Sequence, residues 1–462
     1  MKVTRMRIAT TLILPLVLSA CALAPPAKVE APAPAQWQTP PAHNGSLTDL
    51  NQWWRQQGDP LLARLIDAAQ AASPTIATAG SRIAQSRAQR AAAGAALLPS
   101  LDAALSVSRA NQQSTLPGGT TSQAALQAGW EIDLFGGRRA ERDAAQARLA
   151  GATAGWHEAR VSVAAEVANL YYSLRSCEQL YLVAQQDAQS RADTARLTQL
   201  TADAGFQSPS TAALARASAA DGSSRATLQR ALCDIDLKNL VAMTALDEPA
   251  LRAMLAGAPE VPAPAIAVSE VPAKLLAQRP DVFAAEREVA AASADVGSAQ
   301  ADRFPRLSLS GSVGAANFRS GGQNTQTDTW TIGPLALSLP IFDGGRRSAN
   351  VDAAKARYEA AVISYRASAR RAVSEVEQAL VNLNSSTARS SDAQISLEGY
   401  RAAFVAAEDR YKNGLGSLLE LEDARRTRLA AENAVVTLQR ERNAAWVALY
   451  RAAGGGWTSS AQ

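Results

Sequence analysis

Histidine and cysteine are nearly absent from this 462-residue chain, which holds two of the first and three of the second. His43 and His157 stand apart from any nucleophile or set of metal ligands, so no catalytic residue, metal site or cofactor is expected. Aromatics are scarce at 5%, and with abundant alanine this favours long, closely packed helices over a bulky globular core. Net charge is small: of the formal +4, three cations (Lys2, Arg5 and Arg7) lie in the first 20 residues, which hold no acid, leaving +1 for the rest. Such a chain offers no basic field for nucleic acid. No uncharged apolar run of roughly 18 residues follows the first 20, so only strands could cross a bilayer. Proline is missing from Gly118 through Ser208 and from Ile341 to the C-terminus, which permits uninterrupted helix.

What is present begins with a basic start, an apolar stretch from Ile8 to Leu18, and "LSAC" at 18–21. Residues 1–20 read as a signal peptide, with Cys21 in lipobox position to become a lipid-modified N-terminus. Ala22, in place of aspartate, resembles bacterial lipoproteins sent on to the outer membrane. Residues 21–50 form a tether rich in proline and alanine, and a second such stretch, 258–273, separates 51–257 from 274–453, leaving a tail at 454–462.

The two halves repeat one another. Pro74 falls on Pro280 and Pro99 on Pro305 at an offset of 206; Phe135 meets Phe342 at 207; "DAAQAR" (143–148) meets "DAAKAR" (352–357), and Gly205 meets Gly414, at 209. One unit has been duplicated, in the order helix, strand hairpin, long helix, tight break, long helix. Strands are expected at about 100–110, 121–134, 306–317 and 329–340, joined by polar connections at 110–122 and 317–328. Leu101, Leu105 and Val107 alternate with Asp102, Ser106 and Ser108, and Leu307, Leu309 and Val313 with Ser308, Ser310 and Ser312. Alternation suits a half-buried soluble sheet as well as a barrel wall, but in an exported chain strands of ~10 residues are long enough to cross a bilayer when tilted. Four strands cannot close, since the smallest filled barrels need about eight, so several copies must share one barrel.

Long helices are expected at about 138–203, 209–245, 345–411 and 417–452. Val163, Val167, Leu170, Leu174 and Cys177 recur at intervals of 4 and 3, as do Ala369, Ala372, Val376, Ala379 and Leu383, which is coiled-coil spacing. Breaks at 203–210 and 412–417 fold each long helix back as an antiparallel hairpin.

Cys177 and Cys233 each lie 28 residues from Gly205, level on the two arms of the first hairpin. Two readings stand: a disulfide clamping the arms, or two separate buried thiols. The paired glycines Gly136, Gly137, Gly344 and Gly345, each pair followed by arginines, read as strand-to-helix joints or, less well, as anion loops. Glu420 and Asp423 share a face of the last long helix. Copies meeting at these tips would set them as a ring of negative charge at a constriction; otherwise they serve the helix dipole or pair with Arg425 and Arg426.

The duplicated unit, the lipobox, the segment at 275–314, "LPIFDGGRR" (339–347) and "YKNGLGSLLELEDA" (411–424) together resemble the outer membrane factor (TolC-like) family, in its lipoprotein NodT-type branch. The resemblance implies an α+β membrane protein: a homotrimer whose twelve strands, four per chain, close one β-barrel in the outer membrane, continued by an antiparallel coiled-coil tunnel into the periplasm. It implies a duct without enzymatic activity, a periplasmic adaptor, and an inner-membrane transporter of the RND type, exporting drugs or other small molecules. It assigns Tyr411 to the network closing the tunnel, with Glu420 and Asp423 ringing the aperture. Gly416 stands where some members have arginine, and Ser210 and Thr211 where some have Thr-Asp. The alternatives are a duct for type I protein secretion and a lipid-anchored coiled-coil scaffold without a pore.

Overall fold

A computed structural model describes residues 53–56, 59–111, 118–256 and 278–457, together with Val29, Pro34, Trp37–Thr39 and Leu276. The signal peptide, Cys21, most of the tether, the 258–273 linker and the last residues of the tail lie outside the described residues. The elements, in chain order, are α1 (Trp53–Gln56), α2 (Pro60–Ala72), α3 (Pro74–Ala95), β1 (Ser100–Ala110), β2 (Gly119–Ile132), α4 (Gly137–Asp203), α5 (Pro209–Thr244), α6 (Glu248–Ala256), α7 (Pro280–Ala301), β3 (Arg306–Ser320), β4 (Gln323–Ser338), α8 (Arg346–Lys412) and α9 (Leu418–Ala452). Both α4 and α8 run 67 residues, about 100 Å at ~1.5 Å per residue. The chain divides into two compact units, one built on Gly80–Ala154 and Phe283–Ala367, the other on Pro32–Ala79, Gly155–Val282 and Ser368–Gln462.

The first unit carries one antiparallel sheet in the order β1-β2-β3-β4. Strands β2 and β3 come from different repeats yet pair over their whole length, with Leu126 opposite Val313 and Trp130 opposite Leu309. Registers place Leu101, Leu105, Val107, Leu126, Trp130, Leu307, Leu309, Val313, Trp330, Ile332, Leu335 and Leu337 on one face. Several are largely exposed, Leu105 at 85%, Trp330 at 73% and Ile332 at 89%. The other face carries Ser106, Ser108, Gln123, Gln127, Ser308, Ser312, Thr329 and Thr331. An exposed apolar face this broad requires a partner or a lipid environment.

One expectation about the strands needs correction. Residues 317–328 are not a polar connection: pairing continues to Ser320 opposite Gln323, and only Gly321 and Gly322 turn, at φ +56° and +86°. Alternating Asn, Gln and Thr are wet on both faces, so the period-2 signal that marks a strand is missing there. Within β4, Gly333 and Pro334 are absorbed by the ladder as a register shift opposite Leu309 and Gly311.

The second unit holds the apolar core. Trp53, Trp54, Leu62, Leu65, Val167, Tyr171, Leu240, Leu380, Leu383, Val447 and Tyr450 pack in one cluster, and the Trp53 ring stacks on Tyr450 with centroids 5.1 Å apart. The heptad positions Val163, Val167, Leu174, Ala369, Ala372, Val376 and Leu383 are buried, as coiled-coil spacing requires. Asp59 explains where α2 starts. Its Oδ1 accepts from Leu61 N (3.0 Å) and Leu62 N (3.1 Å), with Pro60 at the first helical position. Its other oxygen accepts from the Tyr171 hydroxyl at 2.7 Å, tying α2 to the middle of α4. Burial and this carboxylate push the Tyr171 hydroxyl well above the usual tyrosine range. Further toward the N-terminus, Gln38 N and Thr39 N donate to the two carboxylate oxygens of Glu377 on α8, at 2.6 and 2.9 Å.

Asp59→Ala strands two helix amides and a buried hydroxyl, so it should lower stability by about 1–3 kcal/mol, whereas Tyr171→Phe, which leaves the cap intact, should cost less. Thermal unfolding followed by circular dichroism reads the order, and an Asp59→Ala midpoint equal to wild type would show that the cap contributes nothing.

Candidate functional site

The two helical hairpins end alike. Gly205 (φ +79°) and Gly414 (φ +73°) close α4 and α8; Ser208 then caps α5 by accepting from Thr211 N, and Ser417 caps α9 by accepting from Glu420 N at 3.2 Å. Ser210 and Thr211 thus serve the cap of α5, their hydroxyls clustering on Ser208 Oγ at 2.7 and 2.8 Å. Behind the tips Leu418 packs with Ala195 and Ala215, and Tyr411 lies against them.

Tyr411 bonds the buried hydroxyl of Thr198 on α4 at 2.6 Å, so the second hairpin is joined to the first within one chain. Glu420 pairs with Arg410 at 2.8 Å, and both side chains are exposed. Asp423 pairs with Arg426, again exposed. Exposed pairs of this kind are worth ~0–1 kcal/mol, so both acids remain available at the surface. Of the cations weighed as partners, Arg426 takes that role, but Arg425 does not. It is fully buried and turns away from Glu420 and Asp423.

Arg425 belongs instead to a buried charge cluster. From α9 it donates to Glu422 Oε1 at 2.5 Å and to Ser190 Oγ and Thr194 Oγ1 of α4, both at 3.0 Å. Arg191 of α4 donates to Asp187 at 2.8 Å, to Ser218 of α5 at 2.5 Å, and to Glu422. Arg225 of α5 reaches Asp187 at 3.3 Å. Gly222 makes room, since a Cβ there would stand 2.8 Å from Arg191 Cδ. Burial pulls the Arg425 guanidinium below its usual value, and the Glu422 carboxylate opposes that shift. At the centre two arginines, Arg191 and Arg425, balance two carboxylates, Asp187 and Glu422, and helices from both hairpins supply them. A signal did exist: Leu418, Leu421 and Arg425 lie at i, i+3 and i+7, so the apolar stripe of α9 carries a cation inward.

Beside Tyr411 a groove of about 500 Å³ runs between α4 and α8, lined among others by Gln189, Asp193, Arg196, Leu197 and Glu408. Farther up the first hairpin, Cys177 and Cys233 are joined by a disulfide with their α-carbons 5.4 Å apart.

At the strand-to-helix joints, Gly136, Gly344 and Gly345 have φ of +78°, +64° and +87°, a region that penalises any side chain. Gly137 faces close packing, with Ala301 Cβ 2.9 Å from where its Cβ would stand. Three of the four arginines that follow, Arg138, Arg139 and Arg347, are occupied. Asp133 accepts from the amides of Arg138 and Arg139 and from Arg139 Nε, at 3.3, 3.0 and 3.1 Å. Arg138 lies between Glu131 (3.0 Å) and Glu141 (3.1 Å), and Asp343 accepts from Gly345 N, Arg347 N and the Arg347 side chain. The chain's own carboxylates therefore fill the place an anion would take, and the anion-loop reading fails. Among the described residues no group of three His, Cys, Asp or Glu is placed to hold a metal ion, and no helix is long and apolar enough to cross a membrane.

Compared with known proteins, the chain matches the family model for outer membrane efflux proteins twice, over residues 65–245 and 271–455. It is 31% identical to the pyoverdine export outer membrane protein OpmQ of Pseudomonas aeruginosa, across 97% of this chain and 96% of that one. It is 29% identical to the toluene efflux pump outer membrane protein TtgI of Pseudomonas putida, across 96% and 97%. Among solved structures it resembles the outer-membrane channel OprN, with a TM-score of 0.84, 28% identity, and 94% and 99% of the two chains covered. The Campylobacter jejuni CmeC outer membrane channel has the same fold, with a TM-score of 0.81 at 23% identity over 95% of each chain.

Two outcomes follow from the buried cluster and the disulfide. Arg191→Met or Glu422→Leu alone strands a buried charge, which should cost about 3–5 kcal/mol and open the tips to protease, while the double variant should lose less than the sum of the two singles. Additive losses would show that the pair is not coupled. Thiol titration of the unfolded chain should find Cys177 and Cys233 only after reduction, and equal counts with and without reductant would rule the bridge out.

Proposed function

Because the chain belongs to the outer membrane efflux protein family, we propose that it is the outer-membrane exit duct of a tripartite efflux pump, conducting small molecules passively to the exterior. One observation carries this reading: a four-stranded sheet with an exposed apolar face, a polar opposite face and two unpaired edge strands, β1 and β4. In hydrocarbon an open edge is untenable, because each unpaired amide and carbonyl costs several kcal/mol. Three copies supply twelve strands, an even number suited to a closed antiparallel barrel, with the Ser, Thr and Gln face toward a water-filled lumen. The helices then form the wall of a tunnel, and the lipid on Cys21 tethers each chain to the membrane.

In this assembly Glu420 and Asp423, exposed on α9, ring the periplasmic aperture, and Tyr411 on Thr198 holds the second hairpin inward. Gly136, Gly137, Gly344 and Gly345 are the joints where wall strands become tunnel helices. The partners are a periplasmic adaptor, seated in part along the groove beside Tyr411, and an inner-membrane transporter of the RND type that supplies the energy. Relatives named for pyoverdine, toluene and solvent export favour small molecules over secreted proteins as cargo. No step requires a catalytic residue or cofactor.

Purified protein should conduct ions in planar bilayers. Glu420→Ala with Asp423→Ala should lower the preference for cations or raise resting conductance several-fold. Identical conductance and selectivity would remove these acids from the gate, and no conductance from folded wild type would end the duct reading.

A further inference from the structure

The lipid-facing side of the sheet ends, at its hairpin edge, in a row that the duct itself does not explain. Register places Arg109, Thr120, Arg319 and Asn324 side by side across the four strands. Directly opposed residues share a face, and the rows below fix which one: Val107 with Ser122, Asn317 and Gln326; Leu105 with Ala124, Ala315 and Asp328; then Leu126, Val313 and Trp330. The arginines therefore stand on the outward, apolar side and not in the polar lumen. Their strands lie two spacings apart, about 10 Å.

Height and charge point the same way. From Leu307 to Ala315 the outward face of β3 runs about 27 Å along the strand, or roughly 20 Å of membrane depth at a tilt near 40°. Arg319 lies about 10 Å higher on the same reckoning, beyond the hydrocarbon and level with headgroups. At the opposite edge of the sheet four arginines are satisfied internally: Arg138, Arg139, Arg306 and Arg347 each pair with a carboxylate of this chain. At the hairpin edge Arg109 and Arg319 are exposed, and among the described residues neither is paired. The acid on that face, Asp328, lies two rows below, about 14 Å along the strand.

Resting on the duct reading, which makes the hairpin edge the external one, we infer that Arg109 and Arg319 form a docking row for the phosphates of lipopolysaccharide in the outer leaflet. Arginine suits this partner because its planar fork binds phosphate oxygens bidentately. Lipid A carries a phosphate at each end of a disaccharide, so one molecule can engage both arginines while its acyl chains lie along Val107, Leu105 and Trp330. Thr120, between the arginines, adds a hydroxyl donor. Three chains repeat the row around the barrel, which would gain a collar of glycolipid.

The test uses detergent-purified full-length protein with bis-phosphorylated lipid A, its monophosphoryl form and phosphatidylglycerol as probes, with binding counted by native mass spectrometry. Wild type should bind bis-phosphorylated lipid A most tightly, and Arg109→Gln with Arg319→Gln should weaken it about tenfold. Conductance of the double variant should match wild type, so a loss of lipid binding with the pore intact separates this inference from the duct itself. Equal lipid A affinity in wild type and double variant would overturn it. So would equally tight, equally arginine-dependent binding of phosphatidylglycerol, which would make the row a generic anion contact.

Discussion

A sheet placed in hydrocarbon cannot keep an edge. The rest of the structure answers this constraint, because unpaired backbone groups that water would satisfy at a soluble surface have no partner among acyl chains. Here the sheet has four strands and two edges, too few to close by themselves. Duplication supplies half of the solution inside one chain, since the hairpins of the two repeats join through β2 and β3 into a single ladder. Assembly of copies supplies the other half.

The same duplication sets the helical half of the problem. Each repeat follows its strand hairpin with one 67-residue helix and then turns the chain back, and alanine at the heptad seams lets these helices approach closely. Helices poor in large side chains bury little apolar area each, so specificity falls to a few polar devices. Asp59 under Tyr171, Glu377 on the tether amides, and the Asp187–Arg191–Glu422–Arg425 cluster each bind segments far apart in sequence. The cluster is the most consequential of the three, because any outward movement of α9 away from α4 must separate Glu422 from Arg191 and Arg425 from Ser190 and Thr194.

Much of this was legible in the sequence, and the parts that were not share a cause. Repeat offsets, coiled-coil spacing and the alternation of Leu101 to Val107 all report apolar periodicity, which burial or lipid contact enforces. The outer part of the second hairpin, 317–328, is polar on both faces apart from Phe318 and so reads as a loop, although its Asn, Gln and Thr pair like any strand. The buried role of Arg425 was hidden because charge reads as surface. Only its place on the Leu418 and Leu421 stripe betrayed it. Asp133 and Asp343 take up the amides that an anion at the joints would need, and the sequence alone does not show carboxylates curling back onto the amides that follow them. A count to Gly205 on each arm sets Cys177 and Cys233 level, but the choice between a bridge and two buried thiols needed the 5.4 Å separation of their α-carbons.

The central claim is that the open sheet closes through other copies of the same chain. The mass of the detergent-solubilised protein, measured by light scattering with the detergent contribution subtracted, tests it most directly. Three chains per particle is the result this account predicts; a stable folded monomer, with β1 and β4 left unpaired in the micelle, would contradict it.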